Sequence, residues 1–481
     1  MSSVAVAPLH RQICLSTSCK TGHGQPAPMK ATEAHDCDHD TVMIQEILQS
    51  SPHPICGRQE ETLCTHPILT DDGFVSRLTA FHVALVKATV NVVDRWWQDT
   101  TAHFPGRMPL EPPVENVLQV PFENSLGIWR PDILLTGNEG SSPGPGFRLC
   151  EINSRSPSHA VIRTAGQKHV LQQLLGTGST FSPGGNMDEL LNGVLSLFNA
   201  ELPIHWVRGR DSLDRTDFIQ AIAQKTGLHP RYITIDDLRL EPDSSSITGY
   251  ALYCAGEGIH PEKVHQVALS LFPDEFALLS GGMLRHLATI SVNDFRVSLL
   301  VNDQRFLGIL LQELDGLVQK QQVLTPNEAQ LLRDGIVPTL LPGSPELQQW
   351  VQRSRRGDVT KDDYILKAAR LSLGHGHLIG EEVPDEQWDR ILLSMKEPTI
   401  RLDQTTYVLQ QFIQQPTFDL LVDKHKMENG SRMIGAYYTI NGRFVGLGPW
   451  RAGKSKICNF LGGGCTCLYS VIPTGIDPVI S

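Results

Sequence analysis

The sequence predicts a mixed fold that combines α+β and α/β units, and three stretches of the chain indicate it. Residues 71–99 carry apolar side chains at steps of three and four, which is the pattern of one long amphipathic helix. Residues 122–157 place two apolar, strand-like runs on either side of a loop rich in glycine and proline, which predicts a β-hairpin or meander. Residues 204–235 contain a strand, a helix and a strand, which is typical of a βαβ unit in an open α/β sheet.

Composition limits the classes of protein to which the chain can belong. The 481 residues, 40% of them hydrophobic and 19% charged, are enough for two or three packed subdomains. A net charge of −11 argues against nucleic acid as the main partner. No apolar run approaches the roughly 20 residues that cross a bilayer, and the N-terminus lacks the pattern of a secretory signal. The 10 scattered cysteines indicate free thiols in a reducing setting, so we expect a cytoplasmic protein.

The first predicted region, residues 1–65, mixes Ser, Thr, Pro, His and Cys with little apolar periodicity, and we expect a disordered tail. Its run HDCDHD at residues 35–40 has metal-ligand chemistry. The lack of apolar residues that would hold such a geometry favours a polar tail with chance ligands. A helical region over residues 66–120 follows, with the pair Trp96-Trp97 in its core.

Two short polar motifs lie in the strand-like runs of residues 122–157, and they provide the first candidate site. They are Arg130-Pro131-Asp132 and Glu151-Ile152-Asn153. Strand alternation places Glu151 and Asn153 on one face, and Asp132 joins them if the strands pair. Two carboxylates and one amide oxygen, without Cys or His, suit Mg²⁺ that keeps its waters and shares substrate phosphates. Arg130 supplies a cation for a phosphate or acyl-phosphate oxygen. The alternative is that these are ordinary polar strand ends.

The middle of the chain predicts alternating helices and strands. The predicted elements are helices at 161–175, 187–198 and 214–226, strands at 204–208 and 232–235, a mainly helical stretch at 264–287 and a β-rich run at 295–301. Arg208 and Arg210 lie just past the carboxyl end of the first strand, where α/β sheets place ligands. These arginines are therefore either contacts for a substrate anion or part of a solvated turn.

The last third of the chain carries a second candidate site. Residues 364–367 form a predicted strand that ends in Lys367, and a loop with Gly374 and Gly376 follows it. A cation followed by glycines with accessible backbone N–H groups suits the phosphates of a nucleotide, and a plain hairpin turn is the alternative. We interpret His375 and His377 as loop residues rather than metal ligands.

Three further elements are predicted in this part. Thr325-Pro326-Asn327-Glu328 is typical of a capped helix start, after a helix at 306–318. Residues 407–413 form a strongly β-prone strand, and Asn441-Gly442 predicts a tight hairpin between the flanking strands.

Four segments, in this order, resemble the ATP-grasp ligases of the glutathionylspermidine-synthase type, and most closely their fungal relatives in secondary-metabolite clusters. The segments are WRPDILL…FRLCEINSRSP, YILKAARLSLGHGHLIG, YVLQQFIQQPTFDLLV and MIGAYYTINGRFVGLGPWR. The resemblance runs from about residue 71 to the C-terminus. Because Glu151 precedes Lys367 by more than two hundred residues, the resemblance implies a circularly permuted ATP-grasp fold. It implies metal-binding strands at 121–160, an inserted Rossmann-like pre-ATP-grasp subdomain at 161–300 and nucleotide-binding subdomains at 301–481.

The resemblance also implies a role for each matched residue. The implied residues are Asp132, Glu151 and Asn153 for Mg²⁺, Arg130 and Arg451 for catalysis, Lys367, Gly374 and Gly376 for the ATP phosphates, and Gln410, Gln411, Phe412 and Ile413 for the adenine hinge. In that hinge, the backbone of Phe412 and Ile413 would contact the base edge. The sequence departs from the family pattern where Ala-Ala-Arg follows Lys367 and where Gln411 replaces a common carboxylate.

The activity that the resemblance implies is ATP-dependent ligation of a small-molecule carboxylate to an amine, through an acyl phosphate. Both steps build negative charge on oxygens, so Mg²⁺ and arginines supply the stabilisation and no protein nucleophile is needed. We expect no nucleic-acid or membrane partner. Two alternatives remain: a phosphotransferase that stops at phosphorylation, and a non-catalytic scaffold that binds nucleotide or a partner.

Overall fold

The computed structural model describes residues 10–13, 66–119, 126–137, 146–155, 161–175, 179–185, 187–210, 216–255, 261–372, 374–401, 403–423, 426–458 and 466–473. The predicted tail at 1–65, apart from 10–13, lies outside these residues, and so does the run at 35–40. Most of the predicted glycine-rich loop, at 138–145, also lies outside them.

The described residues form the elements that follow. The helices are α1 Asp72–Arg95, α2 Phe104–Arg107, α3 Pro112–Leu118, α4 Val161–Leu175, α5 Met187–Leu195, α6 Thr216–Thr226, α7 Pro273–Ala277, α8 Gly281–Ile290, α9 Arg305–Gln319, α10 Pro326–Gly335, α11 Pro345–Arg356 and α12 Asp385–Ser394. The strands are β1 His10–Gln12, β2 Ile68–Thr70, β3 Ile128–Leu135, β4 Phe147–Asn153, β5 Phe181–Pro183, β6 His205–Arg208, β7 Arg231–Thr234, β8 Leu238–Pro242, β9 Tyr250–Cys254, β10 Glu262–Lys263, β11 Val267–Ser270, β12 Thr339–Leu340, β13 Tyr364–Ala368, β14 Leu378–Ile379, β15 Tyr407–Gln411, β16 Phe418–Asp423, β17 Lys426–Ile440, β18 Arg443–Leu447, β19 Trp450–Gly453, β20 Thr466–Leu468 and β21 Ser470–Pro473. Among these helices, none has the length and apolarity that crossing a bilayer requires.

The largest sheet in the described part of the chain is antiparallel and carries the two polar motifs at residues 130–132 and 151–153. Strands β20, β19, β17, β3 and β4 follow one another in it, and β16 and β18 also pair with β17. The predicted pairing of the two runs at 122–157 is confirmed, because β3 and β4 are antiparallel neighbours. The predicted hairpin is confirmed as well: Asn441 and Gly442 have φ of +48° and +78° between β17 and β18.

The predicted long helix is confirmed as α1, and its apolar side packs on the largest sheet. The side chain of Asp71 caps it by accepting a hydrogen bond from Phe74 N at 2.9 Å. Phe74 and Phe81 are fully buried, and both rings contact the ring of Phe147 on β4 edge to face. This packing holds one end of β4 against the helix and leaves the other end, at Glu151, for the polar site.

A smaller antiparallel sheet, in the order β12, β15, β13, β14, carries the second candidate site. It has a core of its own, to which Trp350, Leu366, Trp388 and Leu409 contribute. Because β13 and β15 are paired in register, with Lys367 opposite Val408, the predicted nucleotide lysine and the predicted hinge lie side by side.

A third sheet is parallel, in the order β11, β6, β7, and it confirms the predicted βαβ unit. The prediction of a mainly helical stretch at 264–287 was wrong for β11, although α7 and α8 follow it. Strand β11 is buried at all four positions, so it shows no alternation that would distinguish it from a buried helix.

Two further predictions were wrong because packing and contacts between distant residues decide the structure there. The β-rich run at 295–301 is helical, with a π-helical turn at Val297–Val301 whose five side chains are all buried. Its β-branched composition fits a buried site and does not require a strand. Residues 10–12, predicted as part of a disordered tail, form β1 and pair with β2. Gln12 fixes β1 by hydrogen bonds to the backbone of Leu421, which no local pattern reveals.

Candidate active site

The register of β3 and β4 brings the two polar motifs together. Asp132 lies opposite Glu151, and Arg130 lies opposite Asn153. The register shifts after Asp132, so Cys150 is an extra residue on β4 and forms a β-bulge. Its thiol donates to the Asp132 carbonyl oxygen at 3.3 Å, and its own carbonyl oxygen accepts from Lys367 Nζ at 3.0 Å. The bulge therefore provides the acceptor that joins the smaller sheet to the larger one.

Asp132 lies between two arginines. Its carboxylate is fully buried and accepts from Arg130 Nε at 3.0 Å and from Arg130 Nη2 at 3.2 Å. Arg451 Nη2 donates to the same carboxylate from β19, which reaches β3 through β17. The structure thus brings the two predicted catalytic arginines to one carboxylate, although 319 positions separate Arg451 from Asp132.

Glu151 and Asn153 point to the same side of β4, as the alternation predicts. Asn153 Nδ2 donates to Glu151 Oε1 at 3.1 Å and to the Arg130 carbonyl oxygen at 3.3 Å. The amide nitrogen is therefore directed at protein acceptors, and the amide oxygen is the atom that remains for a metal ion or a ligand.

Sequence reasoning missed Gln304, which holds Glu151 from the other side. Its Nε2 donates to Glu151 Oε2 at 3.0 Å, and its backbone N–H donates to the Ala369 carbonyl oxygen at 2.9 Å. Gln304 is buried, and its Oε1 has no hydrogen-bond partner in the described part of the chain. No signal in the sequence identifies it, because both partners are distant along the chain.

The charges in the site shift the pKa values of the two carboxyl groups in opposite directions. Burial alone would raise the pKa of Glu151, but Lys367 and Arg451, with several hydrogen bonds, hold that pKa well below its usual range. Burial raises the pKa of Asp132, and the charge of Glu151 adds to the rise against the two arginines. Glu151 is therefore the carboxyl group that stays ionised most easily in this arrangement.

The predicted glycine loop folds back on the strand that carries Lys367. Gly374 and Gly376 have φ of +73° and +74°, a conformation that favours glycine. A side chain on Gly376 would meet the Ala368 side chain at 3.3 Å. Burial and the neighbouring Lys367 lower the pKa of His377 to about 4, so this imidazole is neutral at pH 7. The interpretation of His377 as a loop residue is consistent with this position.

The predicted hinge is available to a ligand only in part. The side chain of Gln410 is buried and donates to Thr339 Oγ1 at 2.9 Å. Gln411 is exposed. The Phe412 backbone N–H donates to the Asp363 carbonyl oxygen at 2.8 Å, and the contact of the Phe412 backbone with adenine stays a prediction. For the Ile413 N–H, no main-chain acceptor is found within the described residues.

The two arginines at the carboxyl end of β6 have protein partners in the structure. Arg210 Nη2 donates to Asp274 Oδ1 at 2.7 Å, and its guanidinium lies 4.7 Å from the centre of the Phe272 ring. Arg208 lies over the ring of Tyr232, at 5.2 Å. A contact of either arginine with a substrate anion stays a prediction.

The oxygens of the site fit a hard divalent cation that also binds phosphate. Glu151, Asn153 and the partnerless Gln304 Oε1 are oxygen donors of the kind that Mg²⁺ prefers. Both oxygens of Asp132 accept from guanidinium groups, but Oδ1 accepts a single hydrogen bond and so has a lone pair that remains for a metal ion. Within the described ranges, no group of three or more His, Cys, Asp or Glu residues is arranged to hold a metal, so other oxygens, such as phosphates, would complete the shell.

Comparisons with known proteins relate the chain to a family and to a fold. A family model described as the AnkG N-terminal domain matches residues 81–300. The "ATP-grasp enzyme ankG" of Aspergillus thermomutatus is 36% identical over 471 residues, which cover 92% of this chain and 96% of the relative. The apo structure of a glutathione synthetase-like effector, GSS30 from Globodera pallida, matches 92% of this chain and 97% of its own with a TM-score of 0.52. At 12% identity, that likeness concerns the fold alone.

Proposed function

This chain belongs to the ATP-grasp enzyme family that includes ankG, and from that membership we propose that it ligates a carboxylate to an amine with conversion of ATP to ADP and phosphate. The substrates would be small molecules. The observation that carries the proposal is the meeting of Glu151 on β4 with Lys367 on β13 and Arg451 on β19. A carboxylate pair, a lysine and two arginines in one place suit a reaction that transfers a phosphoryl group.

The chemistry follows from what amide formation requires. A carboxylate oxygen attacks the γ-phosphorus of ATP, the bond to ADP breaks, and an acyl phosphate results. The amine then attacks the acyl carbon, phosphate leaves with the electron pair of the C–O bond, and the nitrogen loses a proton. Both steps build negative charge on oxygen atoms. Preorganised cations such as Arg130 and Arg451 stabilise that charge without any protein nucleophile.

Each residue of the site has a role in this scheme. Glu151, Asn153 and Asp132 would hold Mg²⁺, which neutralises phosphate charge when it is bound. Lys367 would contact the phosphates, and the loop of Gly374 and Gly376 would cover them and exclude water. Residues 410–413 would line the adenine, with Ile413 as the backbone contact.

We also propose that the fold is a circularly permuted ATP-grasp fold. Strands β3 and β4 precede β13 and β15 in the chain, whereas β17 and β19 follow them and return to the sheet of β3. The parallel sheet of β6, β7 and β11 would be the Rossmann-like pre-ATP-grasp subdomain, with the subdomain limits that the sequence predicts. A role in specialised metabolism, in the cytoplasm, is part of the same proposal.

The test is amine-dependent release of ADP by the purified protein. The protein is incubated with ATP, Mg²⁺ and a panel of small carboxylates and amines, and the products are examined by mass spectrometry. We expect ADP release that requires both substrates and a product whose mass is their sum less one water. Glu151→Gln should abolish both signals, whereas Glu346→Gln, at an exposed acceptor of Gln312 on α9, should leave them intact.

A second candidate, a scaffold that binds nucleotide without turnover, is favoured by one observation. Both oxygens of Asp132 accept hydrogen bonds from arginines, and the two guanidinium charges oppose the binding of a cation at this carboxylate. The scaffold predicts ATP binding that is the same in wild type and Glu151→Gln, with no ADP release. A phosphotransferase predicts ADP release that is independent of amine.

A further inference from the structure

A charged cavity of about 220 Å³ is built by five separate segments of the chain. Six of its lining residues carry formal charges: Glu111 before α3, Arg210 after β6, Asp274 on α7, Arg370 after β13, and Arg401 and Asp403 before β15. Three guanidinium groups and three carboxylates therefore face one small volume, and their formal charges cancel.

One wall of the cavity is a buried ion pair. Arg370 Nη1 and Nη2 donate to Glu111 Oε1 and Oε2 at 2.6 and 3.0 Å, with side-chain exposures of only 12% and 7%. Such a bidentate pair is held firmly, because either charge alone would be costly to bury. Arg370 Nε has no hydrogen-bond partner among the described residues, and Asp303 Oδ2 lies 3.8 Å from it.

The other two pairs lie at the solvent side of the cavity. Arg401 Nη2 donates to Asp403 Oδ2 at 2.8 Å, with side-chain exposures of 58% and 64%, and Arg210 pairs with Asp274 at 52% and 38%. Water screens exposed pairs of this kind and makes them weak, so their members exchange partners easily. A ligand that brings both an anion and a cation replaces one such pair charge for charge.

The cavity residue Arg370 belongs to a segment that contacts the candidate active site. Arg370 follows Lys367 by three residues, and Asp303 directly precedes Gln304. The Gln304 backbone N–H donates to the Ala369 carbonyl oxygen at 2.9 Å, while its side chain donates to Glu151 Oε2 at 3.0 Å. Gln304 therefore connects the segment that carries Arg370 with Glu151.

We propose that this cavity binds a zwitterion, a small molecule with one carboxylate and one ammonium group as in an α-amino acid. The balanced charges favour a zwitterion over a lone anion or cation, which would leave one member of each displaced pair without a partner. The volume, below the roughly 300–1,000 Å³ of sites for drug-sized ligands, suits a molecule of amino-acid size. That this zwitterion is one of the two ligated substrates rests on the proposed function; its binding does not.

The test is direct measurement of binding, separate from turnover. Isothermal titration calorimetry is performed on the full chain with the 20 proteinogenic amino acids, with and without Mg²⁺ and a non-hydrolysable ATP analogue. We expect at least one amino acid to bind, and its C-terminal amide and its N-acetyl derivative to bind about tenfold more weakly or worse. Arg401→Gln should raise the Kd of the amino acid about tenfold, and Arg370→Gln should raise it further.

The matched control is Arg333→Gln, since Arg333 forms an exposed ion pair with Asp315 at 2.7 Å on α10 and α9. It should leave the Kd unchanged. Arg401 is exposed, so its variant keeps the test valid if Arg370→Gln does not fold. The proposal is overturned if no amino acid binds, if the amide or the N-acetyl derivative binds as well as the amino acid, or if Arg401→Gln and Arg333→Gln behave alike.

Measurement of ADP release distinguishes failure of the zwitterion site from failure of the proposed ligase activity. Amine-dependent ADP release without amino-acid binding at the cavity keeps the ligase and overturns the zwitterion site. Amino-acid binding that Arg401→Gln weakens, in a protein that releases no ADP with any carboxylate and amine, keeps the site and overturns the ligase.

Discussion

Lys367 Nζ donates a hydrogen bond of 3.0 Å to the carbonyl oxygen of Cys150, a residue that lies 217 positions earlier in the chain. Cys150 is the bulged residue of β4, so the irregularity of that strand is also the place where the smaller sheet contacts the larger one. A buried ammonium group that binds a neutral carbonyl oxygen retains other donors for a phosphate. The bond thus positions Lys367 between the two halves of the candidate site.

We expect Lys367→Met to weaken ATP binding by about 10–100-fold, because a hydrogen bond from a charged group contributes about 1.5–3 kcal/mol. The Kd of ATP–Mg²⁺ measured by calorimetry tests this. Lys320→Met, at a side chain that is 64% exposed, is the control and should bind as wild type does. Equal affinities of Lys367→Met and wild type would remove Lys367 from the nucleotide site.

Gln304 provides a second test, because it contacts Glu151 without being a predicted ligand. We expect Gln304→Leu to lower the apparent affinity for Mg²⁺ about 10–100-fold, since loss of a group that orients a metal ligand has effects of this size. The concentration of Mg²⁺ that half-saturates ADP release is the measurement. A rise in that concentration, rather than a fall in the rate at saturating Mg²⁺, identifies a positioning role.

The matched control is Gln348→Leu on α11, where the amide nitrogen lies 3.5 Å from the Gly343 carbonyl oxygen at the surface. This variant should keep the Mg²⁺ dependence of wild type. If Gln304→Leu also keeps it, Gln304 has only a structural role between β4 and β13.

The sequence predicts the parts of the site whose signal is local. Strand alternation over residues 151–153 places Glu151 and Asn153 on one face, and Asn441-Gly442 specifies its own turn by positive φ values. Gln304 and the bulge at Cys150 have no such signal, because their partners come from β4, β13 and the segment after it. The hydrogen bond from the Phe412 N–H to the Asp363 carbonyl oxygen also joins residues that are distant along the chain.

The same reasoning explains the errors in the fold. Strand β11 is too short and too uniformly buried for periodicity to distinguish it from a helix. The π-helical turn at Val297–Val301 has a composition that favours a strand, and packing decides against it. Strand β1 lies in a segment of low apolar content and is held by long-range hydrogen bonds, so composition alone predicts disorder there.

The role of β1 leads to a prediction about stability. Gln12 accepts from Leu421 N at 2.7 Å and donates to the Leu421 carbonyl oxygen at 3.1 Å and to the His66 carbonyl oxygen at 3.2 Å. We expect Gln12→Ala to lower the free energy of unfolding by about 1–3 kcal/mol, because buried backbone groups would lose their partners. The melting temperature measures this. Arg11→Ala, at the less buried neighbouring position, is the control. Equal melting temperatures for the two variants would contradict an anchoring role for Gln12.

Lys168 on α4 makes the stability of the protein depend on pH. Its side chain is almost completely buried, and burial lowers its pKa from 10.5 to about 7, against the opposing effect of Glu189. At a pH between about 7 and 10.5, the Lys168 side chain is protonated in the unfolded chain and neutral in the folded one. The free energy of unfolding therefore rises with pH from about 7 to 10.5, and the full penalty of a buried charge applies below pH 7.

We expect Lys168→Met to stabilise the protein by about 3–5 kcal/mol at pH 6.5, since each unit of pKa shift corresponds to about 1.4 kcal/mol. The difference from wild type should shrink as the pH rises toward 10. Denaturant midpoints at pH 6.5, 8 and 9.5 provide the measurement, with Lys320→Met as the exposed control whose effect should not vary with pH in this range. A Lys168→Met protein that is less stable than wild type at every pH would mean that the ammonium group has a stabilising partner in the folded protein.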